Sequence, residues 1–85
     1  MNDIEYDIID ELYFVTPYQD IVKALKLPEA TLSRHLADLL QKGYIKAFYP
    51  NPDTEIPYQK EKFQTSFRKY FYLATKAGLI LHNSR

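Results

Sequence analysis

One short stretch of this chain holds residue types that could read a nucleic acid. Arg34 lies between Thr31 and Ser33 on one side and Asp38 and Gln41 on the other, with Glu29 and Ala30 just before them. A guanidinium fixed on a rigid backbone can donate two parallel hydrogen bonds to guanine O6 and N7, or hold a phosphate. The hydroxyls of Thr31 and Ser33 suit phosphate oxygens. The small side chains of Ala30 and Ala37 permit close approach. Further on, Lys60, Lys62, Arg68 and Lys69 gather positive charge that could meet a phosphate backbone. Asp38 runs against this pattern, because it points a negative charge toward the same surface.

Other chemistries lack their parts. The only histidines are His35 and His82, too few for a metal cluster or a catalytic triad, and there is no cysteine. His35 sits at the margin of an apolar stripe and reads as a packed helix residue. Gly43 and Gly78 are the only glycines, so no glycine-rich loop can cradle a phosphate. Asp3, Asp7, Asp10 and Glu11 cluster on one side of a helical pattern. Without a loop to wrap an ion, they read as a solvated face rather than a cation site. No catalytic residue, metal or cofactor is expected. Of the tyrosines, Tyr58, Tyr70 and Tyr72 are candidates to reach a ligand or partner, and the pattern does not choose among them.

The elements that position Arg34 are legible in TPYQDIVKALKLPEATLSRHLADLLQKGYIKAFY, residues 16–49. Thr16 and Gln19 have capping-box spacing, with Pro17 at the first helical position. Ile21, Val22 and Leu25 then share one face of a helix over 17–25. Lys26-Leu27-Pro28 makes a tight turn, and Pro28 opens a second helix over 28–42, with Glu29 near its positive end. Leu32, Leu36, Leu39 and Leu40 form its apolar stripe. With that stripe inward, Ala30, Thr31, Arg34, Ala37, Asp38 and Gln41 face outward, flanked by Glu29 and Ser33. Gly43 can take the left-handed conformation that ends the helix, and Lys42 suits its negative end. Two short helices around a tight turn make a helix-turn-helix, whose second helix is shaped for a DNA major groove. An earlier helix is expected from Asp3 to Phe14, with Ile4, Ile8, Leu12 and Val15 inward, widened by Ile9 and Tyr13.

LPEATLSRHLADLLQKGYI resembles the recognition helix of bacterial winged-helix regulators such as the MarR, ArsR and PadR families. RKYFYLATKAG resembles their closing strand and the start of their last helix. The likeness covers most of the chain and implies a winged helix-turn-helix: mainly α with a small antiparallel β-wing, an α+β fold in one domain over 1–85. Two departures stand out. Lys26 occupies a turn position that often carries glycine, at a cost of ~1–2 kcal/mol if left-handed. Asp38 stands where a basic residue is common. The wing is expected as a strand near Ile45–Tyr49, a long loop and a strand near Arg68–Ala74, with Lys60, Lys62, Arg68 and Lys69 around it. A competing pattern exists: Phe63, Phe67, Tyr70, Phe71 and Ala74 also fit one helix over 58–77. Thr75 is an N-cap candidate for a last helix near 75–82, in which Gly78 signals close backbone approach.

Composition bounds the rest. The chain has 85 residues, 46% of them hydrophobic, enough for one folded domain near the small end for a self-sufficient core. No apolar run is long enough to span a membrane, and the acidic start MNDIEYD lacks the regions of a signal peptide. A cytoplasmic protein is expected. The formal net charge is zero but uneven: residues 1–22 carry acidic side chains only, and all eleven Lys and Arg follow. This fits one acidic face and one basic face. The leading expectation is a non-enzymatic regulator that binds double-stranded DNA through helix 28–42 and a basic wing. The resemblance further implies a homodimer, joined through the first helix, the Leu79–Leu81 segment, or both. The alternative is a winged-helix module whose partner is a protein, favoured by the near-neutral charge, Asp38 and the surplus of aromatic residues.

Overall fold

A computed structural model describes residues 1–84. The elements are α1 (Asp3–Asp10), β1 (Thr16–Pro17), α2 (Tyr18–Leu25), α3 (Glu29–Lys42), β2 (Ile45–Phe48), β3 (Glu55–Ile56), α4 (Lys60–Ser66), a 3₁₀ turn (Phe67–Lys69), β4 (Phe71–Ala74) and α5 (Lys76–Asn83). The strands form one antiparallel sheet in the order β1-β4-β2-β3, and β4 faces β2 with Ile45 opposite Ala74 and Phe48 opposite Phe71. This is an α+β winged helix-turn-helix.

The core lies where α1, α2 and α3 meet the sheet. Ile8, Ile9, Leu12, Ile21, Leu32, Leu36, Leu39 and Tyr72 are all 0% exposed there. The leucine stripe of α3 is buried as its spacing requires. Gly43 ends α3 at φ 79°, with Gly43 N–H donating to Leu40 O and Tyr44 N–H to Leu39 O. That is the pair of bonds by which a left-handed residue satisfies the last helical carbonyls. Lys26 also takes the left-handed conformation, at φ 53°, closing α2 with an N–H bond to Val22 O.

Several boundaries differ from the sequence expectation. α1 stops at Asp10 rather than Phe14. Leu12 O accepts from Ala74 N–H at 2.9 Å, so the chain turns away from the helical path to meet the sheet. Tyr13 and Phe14 are exposed, Phe14 at 82%. Thr16 does not cap α2. Its hydroxyl donates to the carbonyls of Glu11 and Phe14, and Thr16–Pro17 is instead a short strand paired with Tyr72 and Phe71. Pro17 and Pro28 each stand just before their helix in extended conformation, not at its first position.

The largest difference is the segment 49–70. β2 runs into a short hairpin whose return strand, β3, pairs with it. The chain then forms α4, and only Phe71–Ala74 is strand where Arg68–Ala74 was expected. The helix over 58–77 is not formed either; its first part is α4. Phe63 and Phe67, one turn apart, stack with centroids 5.4 Å apart and are buried, which drives α4. After the 3₁₀ turn Tyr70 returns to extended backbone, and the aromatic run that follows pairs with β2. Tyr72 is fully buried and donates its hydroxyl to Phe67 O at 2.8 Å, so it is a core residue.

α5 packs on α1 and starts where expected. The Thr75 side chain accepts from Gly78 N–H and donates to Gly43 O at 2.7 Å. Gly78 has no room for a side chain, because a Cβ there would meet Tyr44 O at 2.1 Å.

Candidate functional site

The outward side of α3 forms one wall of an open groove of about 480 Å³, and α4 forms the other. Ser33, Arg34, Ala37, Asp38 and Gln41 line the first wall. Tyr58, Lys60, Phe63 and Gln64 line the second. Helical periodicity alone explains the first wall: with Leu32, Leu36 and Leu39 inward, these residues must point away from the core. The second wall exists because Phe63 turns into the core and leaves Lys60 and Gln64 at its edge.

The expected site residues therefore divide. The fold brings together Ser33, Arg34, Asp38, Gln41 and Lys60. Ala30 is exposed at the start of α3 and Thr31 is half-buried, and neither lines the groove. Lys62 faces a separate cavity of about 270 Å³, beside Tyr49, Ile56 and Tyr70. Lys69 is exposed on the 3₁₀ turn.

Glu29 and Arg68 are engaged with each other. Arg68 Nε donates to Glu29 Oε2 at 2.9 Å, and its Nη2 to the other carboxylate oxygen. These hydrogen bonds hold the Glu29 carboxyl below its ordinary pKa and push the Arg68 guanidinium higher. The Arg68 guanidinium also lies 4.5 Å from the Phe67 ring centroid. Nearby, burial raises the Tyr18 hydroxyl pKa, with Glu29 adding to the effect and Arg68 opposing it.

The basic wing needs correction. The wing is the β2–β3 hairpin, and its tip, residues 49–54, carries Asp53 and no cation. Lys46 on β2 pairs with Glu55 on β3 at 3.5 Å. Lys60, Lys62, Arg68 and Lys69 belong to α4 and the 3₁₀ turn, because Pro57 and the buried phenylalanines take the chain out of the hairpin before these residues are reached.

Of the far wall, sequence reasoning named Lys60 as a site cation and Tyr58 as a candidate to reach a ligand or partner, but missed Phe63 and Gln64, and it missed one buried polar pair. Phe63 was signalled only as part of the helical spacing of the aromatics after Pro57, and nothing singled out Gln64. His35, on α3, is 7% exposed and donates from Nδ1 to Glu5 Oε2 at 3.0 Å, and Glu5 is 4% exposed. Asp38 adds a second carboxylate close by, so these three residues could hold a metal ion. A separation of thirty positions hid the pair from any local pattern.

Residues 18–47, from the start of α2 into β2, match the family model described as bacterial regulatory protein, ArsR family. No curated protein and no solved structure gives a match. Among the described residues no helix is long and apolar enough to cross a membrane. The matched segment is the helix-turn-helix itself, about a third of the chain, and with the hairpin and α5 closing around it the chain is a small winged helix-turn-helix domain whose central segment is similar to that family.

Proposed function

We propose that the chain is a non-enzymatic, cytoplasmic transcription regulator that binds double-stranded DNA. The observation that carries this reading is the outer face of α3. It is a rigid helix anchored by three fully buried leucines, and it presents Arg34, Gln41 and Ser33 with small Ala37 between them. In this reading α3 enters a major groove. Arg34, in the first half of the helix, reaches base edges, and Lys60 on α4 meets a phosphate beside it. The basic element is α4, not the hairpin.

Regulators of this fold read two half-sites as dimers. Phe14 at 82% exposure and Ile80 at 58%, with Leu81 beside it, offer a second copy an apolar surface at the α1–α5 side. A strict monomer in sedimentation at high micromolar concentration would remove that part of the reading.

A protein partner is the second reading, and one observation favours it. Arg68 is taken by Glu29 and Lys62 faces another cavity, so Arg34 and Lys60 are the cations that line the groove, with aromatic Tyr58 and Phe63 opposite Asp38. Fluorescence anisotropy on genomic-fragment DNA across a salt series separates the two. The DNA reading expects binding that weakens steeply with salt. No salt-dependent binding, and no gain from Asp38→Asn, would favour the protein partner.

A further inference from the structure

We propose that Glu5, His35 and Asp38 form a binding site for a divalent transition-metal ion that joins α1 to α3. A ring nitrogen of His35 and one carboxylate oxygen from each of Glu5 and Asp38 lie within 4.8 Å of one another. Two of the three residues are buried, and Asp38 is open to solvent on one side, which gives the ion its entry.

Charge makes this more than a buried hydrogen bond. The imidazole pairs with Glu5 while a second carboxylate, Asp38, lies close by, and among the described residues neither Glu5 nor Asp38 pairs with a lysine or arginine. Buried charge is retained when it is paired or coordinates a metal. A divalent ion balances both carboxylates. The ligand set also chooses the class of ion: one imidazole nitrogen with two oxygens suits zinc or a neighbouring first-row ion, whereas calcium and magnesium take oxygens. Three protein ligands leave a position for water.

The geometry needs little adjustment. Tetrahedral zinc with bonds of about 2.1 Å sets its ligands about 3.4 Å apart. Glu5 and His35 are already 3.0 Å apart, so the remaining movement falls on Asp38, the least buried of the three. The sequence positions reinforce the pairing, because His35 and Asp38 are one turn apart on the same helix. The site is proposed without reliance on the DNA reading, although Asp38 also lines the groove.

Zinc titration of the metal-stripped full chain, by calorimetry and thermal melting, tests it. We expect one equivalent to bind and the melting temperature to rise. Asp38→Asn, at a partly exposed position that should not disturb folding, should weaken binding roughly tenfold or more. Asp7→Asn, in the separate acidic cluster of α1, should leave binding unchanged. Cobalt in place of zinc adds a spectroscopic readout, and its visible absorption should be altered in Asp38→Asn. No saturable binding, equal affinity in wild type and Asp38→Asn, or loss of binding in Asp7→Asn would each overturn the site.

Discussion

The two sides of α3 obey different rules. The inner side is three leucines with no exposure, each fixed by the need to fill the space between the first two helices and the sheet. The outer side is Ser33, Arg34, Ala37, Asp38 and Gln41 around an open groove, and only Ala37, half-buried against the core, is constrained by packing. A helix that only had to fold could carry other soluble residues at the remaining positions. The difference teaches where to look: stability is written on one side of this helix, and the other side is where the proposed choice of partner is to be tested.

The largest effect should come from the inner side. Leu36→Ala should cost ~2–5 kcal/mol, enough to unfold a marginal domain of this size. Ala37→Ser, one residue on and facing the groove, should leave stability nearly unchanged. Denaturant titration of both variants checks the contrast, and equal midpoints would erase the distinction between the two sides.

The outer side should respond in binding instead. Arg34→Ala should lose about 1–3 kcal/mol at a preferred DNA site and less on random DNA. Lys60→Ala should weaken all sequences alike and lower the salt slope by about one unit or less. Lys62→Ala, on the far side of α4, should do neither. Anisotropy on the three variants sharpens the comparison, and identical losses for Lys60 and Lys62 would mean that the groove is not the contact surface.

The smallest effect belongs to the Glu29–Arg68 pair at the edge of α3. Arg68 depresses the Glu29 pKa below its ordinary value of 4.5, so the folded state gains from the ionised carboxylate. That contribution is complete above the ordinary value and is lost as pH falls through the depressed one. Both side chains are half exposed, so the gain is small and salt-screened. Arg68→Ala should lower the melting temperature slightly at neutral pH, and the difference should vanish in acid or high salt. A difference that persists in acid would assign the role of Arg68 to its packing on Phe67.

The helix-turn-helix was legible because its causes are local. Lys26, Pro28, the leucine spacing and Gly43 each act within a turn of where they stand. β1 was not legible, since Thr16 and Pro17 become a strand only by meeting Tyr72 and Phe71, far along the chain. Residues 58–77 held two honest signals in conflict. Phe63 and Phe67 are spaced for a helix, while Tyr70 to Leu73 suit a strand, and the chain obeys each in turn by changing at the 3₁₀ turn. The face carrying Arg34 could be read from periodicity. The division of the four later cations could not, because it depends on where α4 lies. His35 looked like an ordinary packed residue because its partner, Glu5, belongs to another helix.

The missing side chain at Gly78 has a dynamic consequence. Tyr44 O lies against that glycine and accepts from Thr75 N–H, Gly43 O accepts from the Thr75 hydroxyl, and Ala74 N–H reaches Leu12 O. The end of α3, β4, α5 and the exit from α1 thus share one backbone seam, and opening one member exposes bonds of the others. Such a seam should open only cooperatively. The amides of Tyr44, Ala74 and Thr75 should exchange with solvent hydrogen only on global unfolding. The first turn of α3, tethered from outside by an exposed ion pair, should exchange through local fraying. If α3 adjusts to a partner, it pivots about its C-terminal end, and the half carrying Arg34 makes the search.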